Sequence, residues 1–142
     1  MGRYLMAKGY TVPRITGLDP AYPGFYPPLV LSRPISSRDA KFVDIIHTSG
    51  GTFGTPTNTG HVDFWPNEGT PKQPGCLALS IPLSSEDFCS HWRSWRYWVE
   101  SVVGGNFVAR KCADYDSFLR GNCTKSARMG LLATSDLRGN YY

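Results

Sequence analysis

Short apolar stretches with the period of β-strands lie in the first half of the chain. Residues 11–18, 42–47 and 61–65 are mainly apolar or alternate between apolar and polar positions. Pro13 lies near the start of the first stretch, where a strand tolerates a proline. The pattern therefore predicts three strands, the first of which stops at Asp19-Pro20.

Helical periodicity dominates the second half. From Ser90 onward apolar residues recur at spacings of three, four and three, until the Gly104-Gly105 pair ends the run. These residues are Trp92, Trp95, Val99 and Val102. Residues 2–8 are predicted to be the last turns of another helix, and residues 39–41 and 114–119 to be short helical segments. Strands alternating with helices predict an α/β fold, in one domain over residues 1–142.

Composition and charge exclude several classes of protein. The chain is 41% hydrophobic and 18% charged, which is typical of a globular domain. Its net charge of +4 is carried by scattered basic residues, which favours a solvated surface over a nucleic-acid site and leaves room for weak attraction to anionic lipid. No stretch approaches the roughly 20 apolar residues of a membrane helix, so no transmembrane segment is predicted.

The cysteines indicate an oxidising compartment. The chain has four, none in a C-x-x-C pair, which argues against a zinc site: Cys76, Cys89, Cys112 and Cys123. From the residues alone, all three pairings stay open. Sequential pairing would close two short loops, each worth about 3 kcal/mol in the chain-entropy model. Asn122-Cys123-Thr124 is also a glycosylation sequon, although the cysteine in its middle weakens the signal.

Two polar residues occupy positions where chemistry is often found. Asp19 follows a strand, and functional groups collect at the carboxyl ends of strands in α/β sheets. His91 lies at the start of the predicted helix, two residues after Cys89. On position alone a turn aspartate and a polar helix-start residue are the simpler interpretations. His47 and His61, at strand ends, are interpreted as hydrogen-bonded structural histidines.

The segment between Cys76 and Cys89 is rich in leucine, and Pro82 prevents a long helix there. It is either packed core or an exposed flap that meets a lipid surface or covers a pocket. The residues predicted to contact lipid in the second case are Leu77, Leu79, Ile81 and Leu83.

The chain contains no G-x-S-x-G nucleophile elbow. Ser49-Gly50-Gly51 lacks both that pattern and the G-x-x-x-x-G-K of a phosphate loop, so it is interpreted as a plain turn. The first ten residues have none of the parts of a secretion signal and begin at a helix end. We therefore expect the 142 residues to be a truncated part of a longer protein.

Four segments, in order, resemble one family, the pancreatic-lipase superfamily. The first resembles the stretch around the triad aspartate, the second the following strand, the third the run into the lid, and the fourth the segment with the triad histidine. They are ITGLDPA at residues 15–21, DAKFVDIIHT at 39–48, GHVDFWPN at 60–67 followed by PGC at 74–76, and CSHWRSWRY at 89–97.

The resemblance implies an α/β-hydrolase fold, of which this chain is the second half of the catalytic domain, without the nucleophile elbow. It implies that Asp19 and His91 are the acid and base of a Ser-His-Asp triad whose serine and oxyanion hole lie upstream of Met1. The resemblance also implies a lid disulfide Cys76–Cys89 and a second disulfide Cys112–Cys123.

The lid that the resemblance implies is short, with twelve residues between its cysteines. Short lids are similar to those of insect-type lipases and sn-1 phospholipases, which favours phospholipid or galactolipid over triacylglycerol. Of the acidic residues with which some relatives bind calcium only Asp39 is present, so no metal and no cofactor are predicted.

The function implied is hydrolysis of lipid acyl esters by the secreted parent protein at a membrane or lipid interface. The alternative is a catalytically inactive lipase-like protein, of a lipid-binding or yolk-protein kind. The presence of both Asp19 and His91 favours the enzyme. The isolated chain is expected to be inactive, since His91 would have no nucleophile to activate.

Overall fold

The computed structural model describes residues 2–77 and 82–142. In this part of the chain the helices are α1 (Gly2–Ala7), α2 (Cys89–Val102) and α3 (Tyr115–Leu119). The strands are β1 (Arg14–Leu18), β2 (Phe42–Ile46), β3 (Val62–Phe64), β4 (Val108–Lys111), β5 (Lys125–Arg128) and β6 (Gly139–Tyr141). Short 3-10 turns lie at Ser37–Asp39, Pro66–Gly69 and Gly130–Leu132. The longest helix spans 14 residues, and no helix in the described part is long and apolar enough to cross a membrane.

The six strands form one mixed sheet in the order β1-β2-β3-β6-β4-β5. The first four run parallel, and β4 and β5 add an antiparallel edge. All five residues of β2 are buried, as expected of a parallel strand covered on both faces. The registers pair Leu18 with Ile46 and Ile46 with Phe64, so three strands end at the same edge.

The α/β class predicted from the sequence is confirmed, but half of the strands were not predicted. Strands β1 to β3 lie within the three predicted stretches, whereas β4, β5 and β6 lie in a region without a clear apolar period. In β4 only Ala109 is buried, and β5 exposes three of its four residues. Strands with so few buried residues carry little of the hydrophobic signal from which strands are predicted.

An ion pair between the buried Asp44 and the partly exposed Arg14 joins β1 to β2. Arg14 donates to both carboxylate oxygens of Asp44, at 2.9 and 2.8 Å, and Thr16 donates to the same group at 2.9 Å. Arg14 also donates to the backbone oxygens of Gly130 and Leu131, at 2.7 and 2.9 Å. One side chain therefore holds two strands and the turn that follows β5.

Helix α2 packs two partly buried aromatic residues, Tyr97 and Trp98, against the hydrophobic core of the sheet. The residues that it buries completely are serines, namely Ser90, Ser94 and Ser101. Ser101 contacts the turn at Gly130, where a Cβ would overlap the serine side chain, and its Oγ accepts from the backbone N–H of Leu131 at 3.0 Å. The apolar residues from which the helix was predicted are all exposed at its outer surface: Trp92, Trp95, Val99 and Val102. Their period gives the helix but not its orientation.

Helix α1 is tied to the first 3-10 turn by an ion pair. Arg3 donates to both oxygens of Asp39, at 2.8 and 3.1 Å, and to the backbone oxygen of Pro34 at 2.7 Å. Asp39 also accepts from the backbone N–H of Ser36, within a capping box. The hydrogen bond from Arg3 lowers the pKa of the Asp39 carboxyl below its usual value.

We predict that Asp39→Asn destabilises the chain at neutral pH by at most about 1 kcal/mol, because the Arg3 side chain is partly exposed and solvent screens the pair. The wild-type carboxylate stabilises the fold above its unfolded pKa of about 4, and this contribution is lost as pH falls through the lower folded pKa. Urea unfolding at pH 7 and pH 3 measures this contribution. The free energies of unfolding of wild type and variant should differ less at pH 3 than at pH 7, and a difference that stays constant would contradict the prediction.

Candidate active site

Asp19 is the first residue after β1 and is completely enclosed. Its side chain has 0% exposure, and its backbone has a positive φ of 47°. This left-handed conformation is uncommon for residues other than glycine, although aspartate is among those that tolerate it best. The Asp19 N–H donates to the Ile46 oxygen at 2.7 Å, so β2 fixes the backbone as the chain turns out of the sheet.

The loop after β2 surrounds the Asp19 carboxylate with donors. Oδ1 accepts from the backbone N–H groups of Thr48 and Ser49, at 2.7 and 3.1 Å. Oδ2 accepts from the Ser49 hydroxyl at 2.8 Å, and Ser49 Oγ accepts in turn from the Gly54 N–H at 3.1 Å. A buried carboxylate needs such donors to remain charged. Their arrangement also fixes the plane of the group.

His91, in the first turn of α2, completes this group of residues. Its Nδ1 lies 2.7 Å from Asp19 Oδ2, the same oxygen that binds the Ser49 hydroxyl. The His91 side chain is 28% exposed, in contrast to the enclosed carboxylate. With Nδ1 engaged by Asp19, Nε2 is the ring nitrogen left to exchange a proton with a reactant.

Two disulfides lie in the second half of the chain, and one of them ends next to His91. Cys76–Cys89 joins the first residue of α2 to the loop that follows the 3-10 turn at Pro66–Gly69, with 5.7 Å between the Cα atoms. The other is Cys112–Cys123, with 4.5 Å between its Cα atoms. These are the two pairs that the family resemblance implied.

Residues 77–88, the segment between Cys76 and Cys89, are described at Leu77 and at 82–88. Leu77 and Leu83, two of the residues predicted to contact lipid, are exposed, at 66% and 76%. The other two predicted lipid-contact residues, Leu79 and Ile81, lie outside the described residues.

Aromatic rings form a continuous row next to His91. Phe53, from the loop after β2, stacks on Phe88 with ring centroids 4.3 Å apart and lies 6.0 Å from the His91 ring. Phe88 stacks in turn on Trp92 at 5.9 Å. This row, called the aromatic wall below, gives one side of the His91 imidazole an apolar boundary.

The other two histidines are both hydrogen-bonded within the fold. His47 is buried, with Nε2 at 2.8 Å from Asp63 Oδ1 and Nδ1 at 3.0 Å from the Thr55 oxygen. Its ring is stacked on Trp65, with centroids 3.6 Å apart. His61 Nδ1 accepts from the Val43 N–H at 3.0 Å, and burial lowers the pKa of this imidazole. His47 and Asp63 therefore hold the two ends of the loop that encloses Asp19.

The described residues contain no group of three or more histidine, cysteine, aspartate or glutamate side chains that could hold a metal ion. Asp39, the acidic residue considered for calcium, is engaged by Arg3.

Sequence analysis identified Asp19 and His91 but not the loop that joins them. Ser49 was interpreted as part of a plain turn, yet both its N–H and its hydroxyl bind Asp19. Gly54 was not singled out, although a Cβ there would overlap all three atoms of the Asp19 carboxylate. A run of small residues after a buried strand was the available signal.

We predict that Gly54→Ala breaks the hydrogen bond between Asp19 and His91. The added methyl group has no room beside the carboxylate, so Asp19 must rotate away from His91 Nδ1. Solution NMR of the His91 ring nitrogens measures this directly, since the strongly hydrogen-bonded Nδ1 proton should be lost.

Gly51→Ala is the matched control. Gly51 has a positive φ of 86°, so alanine is strained there, but a Cβ at this position meets nothing within 4 Å. The His91 signals should then persist in Gly51→Ala. Equal loss of the signal in both variants would show that the effect is general loop strain.

Comparison with known proteins gives the family of the chain. The Lipase family model matches residues 1–138. The human protein Pancreatic lipase-related protein 3 is 38% identical over 138 residues, covering 82% of this chain and 29% of that protein. Human Pancreatic triacylglycerol lipase is 40% identical over 133 residues, covering 80% of this chain and 28% of the relative. Lipase member H-B of Xenopus laevis is 39% identical over 117 residues, covering 80% of this chain and 25% of that protein.

The chain spans less than a third of the length of these curated relatives. The family model nevertheless covers almost all of the chain. The chain therefore belongs to the lipase family, in the pancreatic-lipase superfamily.

Proposed function

We propose that these 142 residues supply the acid and the base of a Ser-His-Asp triad in a secreted lipid ester hydrolase. They would form the second half of an α/β-hydrolase catalytic domain, with the nucleophilic serine contributed from outside this stretch. The observation that carries the proposal is the 2.7 Å contact between His91 Nδ1 and a fully enclosed, fully hydrogen-bonded Asp19.

The proposed chemistry is acyl transfer. His91 Nε2 accepts the proton of the serine hydroxyl as that oxygen attacks the ester carbonyl, and then returns it to the leaving alcohol. Asp19 holds the Nδ1–H tautomer and stabilises the imidazolium while it exists. Because four hydrogen bonds fix the carboxylate, little reorganisation is needed when the charge forms.

Surfaces near His91 support an apolar acyl substrate. The aromatic wall would exclude water from the imidazole, and the exposed Leu77 and Leu83 would meet lipid at an interface. A short lid supports phospholipid or another glycerolipid as the substrate class, whereas two of the relatives are named for triacylglycerol or for pancreatic lipase. Two disulfides support a secreted parent protein.

The isolated chain permits a test of the Asp–His unit without activity. In Asp19→Asn, the Thr48 and Ser49 N–H groups should keep the amide oxygen at the Oδ1 position. The NH2 group then faces His91 Nδ1 and donates to it, which forces the ring proton onto Nε2. Nitrogen-15 shifts of the neutral imidazole should change from the Nδ1–H to the Nε2–H pattern.

Asp116→Asn, at an exposed carboxylate on α3, is the charge-matched control and should leave the His91 pattern unchanged. If His91 keeps the Nδ1–H form in Asp19→Asn, Asp19 does not set the tautomer, and its proposed role is wrong.

In the whole protein, we predict that Asp19→Asn lowers the hydrolysis of a fluorogenic phospholipid by about 10⁴-fold, as loss of the correct tautomer does in a serine protease. His91→Ala should lower kcat by about a million-fold. The purified 142-residue chain should be inactive. Phospholipid and triacylglycerol substrates, compared on the wild-type protein, decide the substrate class.

The alternative is an inactive lipase-like protein that binds lipid. It would predict no turnover of either substrate by the whole wild-type protein, together with unchanged lipid binding in Asp19→Asn and His91→Ala. A wild-type activity that survives both substitutions would instead show that another site performs the hydrolysis.

A further inference from the structure

The glycosylation sequon at Asn122 lies on an accessible turn far along the chain from the Asp19 loop. Asn122 and Thr124, the acceptor and the hydroxyl residue of the sequon, are both exposed, and the turn connects α3 to β5. A glycan could therefore be carried by the folded protein without displacing the core.

The same turn is held rigidly once the chain has folded. Gly121 has a positive φ of 74°, and its N–H donates to the Phe118 oxygen at 3.0 Å. The Asn122 N–H donates to the Ser117 oxygen at 2.8 Å, which completes the pattern that often ends helices. On the other side, the Thr124 N–H donates to the Lys111 oxygen at 2.9 Å.

The disulfide Cys112–Cys123 fixes the middle of the sequon. Cys123 is the central residue, and its bond joins the turn to the end of β4. An enzyme that modifies Asn122 must bind the backbone of this segment, but that backbone is already engaged on both sides. The Asn122 side chain is thus exposed, but the backbone around it cannot bind to the modifying enzyme once the chain has folded.

We propose that Asn122 is an N-glycosylation site whose occupancy is decided by a race between glycan transfer and closure of Cys112–Cys123. Both reactions belong to the same oxidising compartment, where secreted proteins form their disulfides. The proposal does not depend on ester hydrolysis.

The donor is a lipid pyrophosphate-linked oligosaccharide. The Asn122 side-chain nitrogen attacks C1 of its first sugar and forms the N–C bond. The C–O bond to the pyrophosphate breaks, and its electron pair leaves with the lipid pyrophosphate. The nitrogen loses one proton to a base of the transferase or to water, so no oxidant or reductant is consumed.

The test is to express the 142-residue chain behind a cleavable secretion leader in animal cells. The glycosylated fraction is measured by the mobility shift that a peptide N-glycosidase removes, and intact-mass analysis of the disulfides verifies entry into the compartment. The wild type should be partly shifted, and Asn122→Gln and Thr124→Val should not be shifted. Cys112→Ser keeps the sequon intact but prevents closure, so its glycosylated fraction should rise.

Cys76→Ser is the matched control, because it removes the other disulfide and still lets Cys112–Cys123 form around the sequon. Its glycosylated fraction should equal that of the wild type. A glycosylated fraction in Cys76→Ser as high as that in Cys112→Ser would assign the effect to general misfolding and overturn the proposed competition between glycan transfer and disulfide closure. Full occupancy of the wild type would also overturn it, and the absence of glycan from both wild type and Cys112→Ser would exclude Asn122 as an acceptor.

Discussion

The pairing of Arg14 with the buried Asp44 is the interaction on which the rest of the arrangement depends. An unpaired charge at Asp44 would be severely destabilising in the centre of a fully enclosed strand. Arg14 neutralises it and at the same time binds the backbone of the turn at Gly130, against which helix α2 packs through Ser101. Arg14 also lies over the ring of Trp98 on that helix, 5.4 Å from the ring centroid, so the position of the helix that carries His91 is set in part by this ion pair.

The parallel pairing of β1 and β2 brings the residues of the site together. Since β1 and β2 end side by side, Asp19 leaves the sheet next to the loop that starts at His47. The loop then folds back over the carboxylate, and the His47–Asp63 pair holds both of its ends. The geometry around Asp19 is therefore a property of two strands, one loop and one helix together, with no single element sufficient for it.

The sequence predicted those parts of the molecule whose signal is local. Strands β1 to β3, the helix that begins at Cys89 and the α/β class follow from periodicity, and the family motifs singled out Asp19 and His91, which lie in contact in the structure. The orientation of α2 was not predicted, because the apolar residues from which the helix was predicted are exposed, whereas its fully buried residues are serines, which have no hydrophobic signature. Ser49 and Gly54 were missed for a related reason, since their importance lies in distances to a residue more than 29 positions away in the chain.

The donors that orient Asp19 have a consequence for how this family member tolerates sequence drift. Two of them are main-chain amides, at positions 48 and 49, and every amino acid except proline carries that group. Exchange of the Thr48 side chain therefore removes no donor to Asp19, and exchange of the Ser49 side chain removes its hydroxyl but keeps both amides. At position 54, by contrast, the carboxylate leaves no space for a Cβ, so every residue other than glycine would overlap it. The two amide donors at positions 48 and 49 thus survive most substitutions there, whereas position 54 has no room for any residue that adds a Cβ.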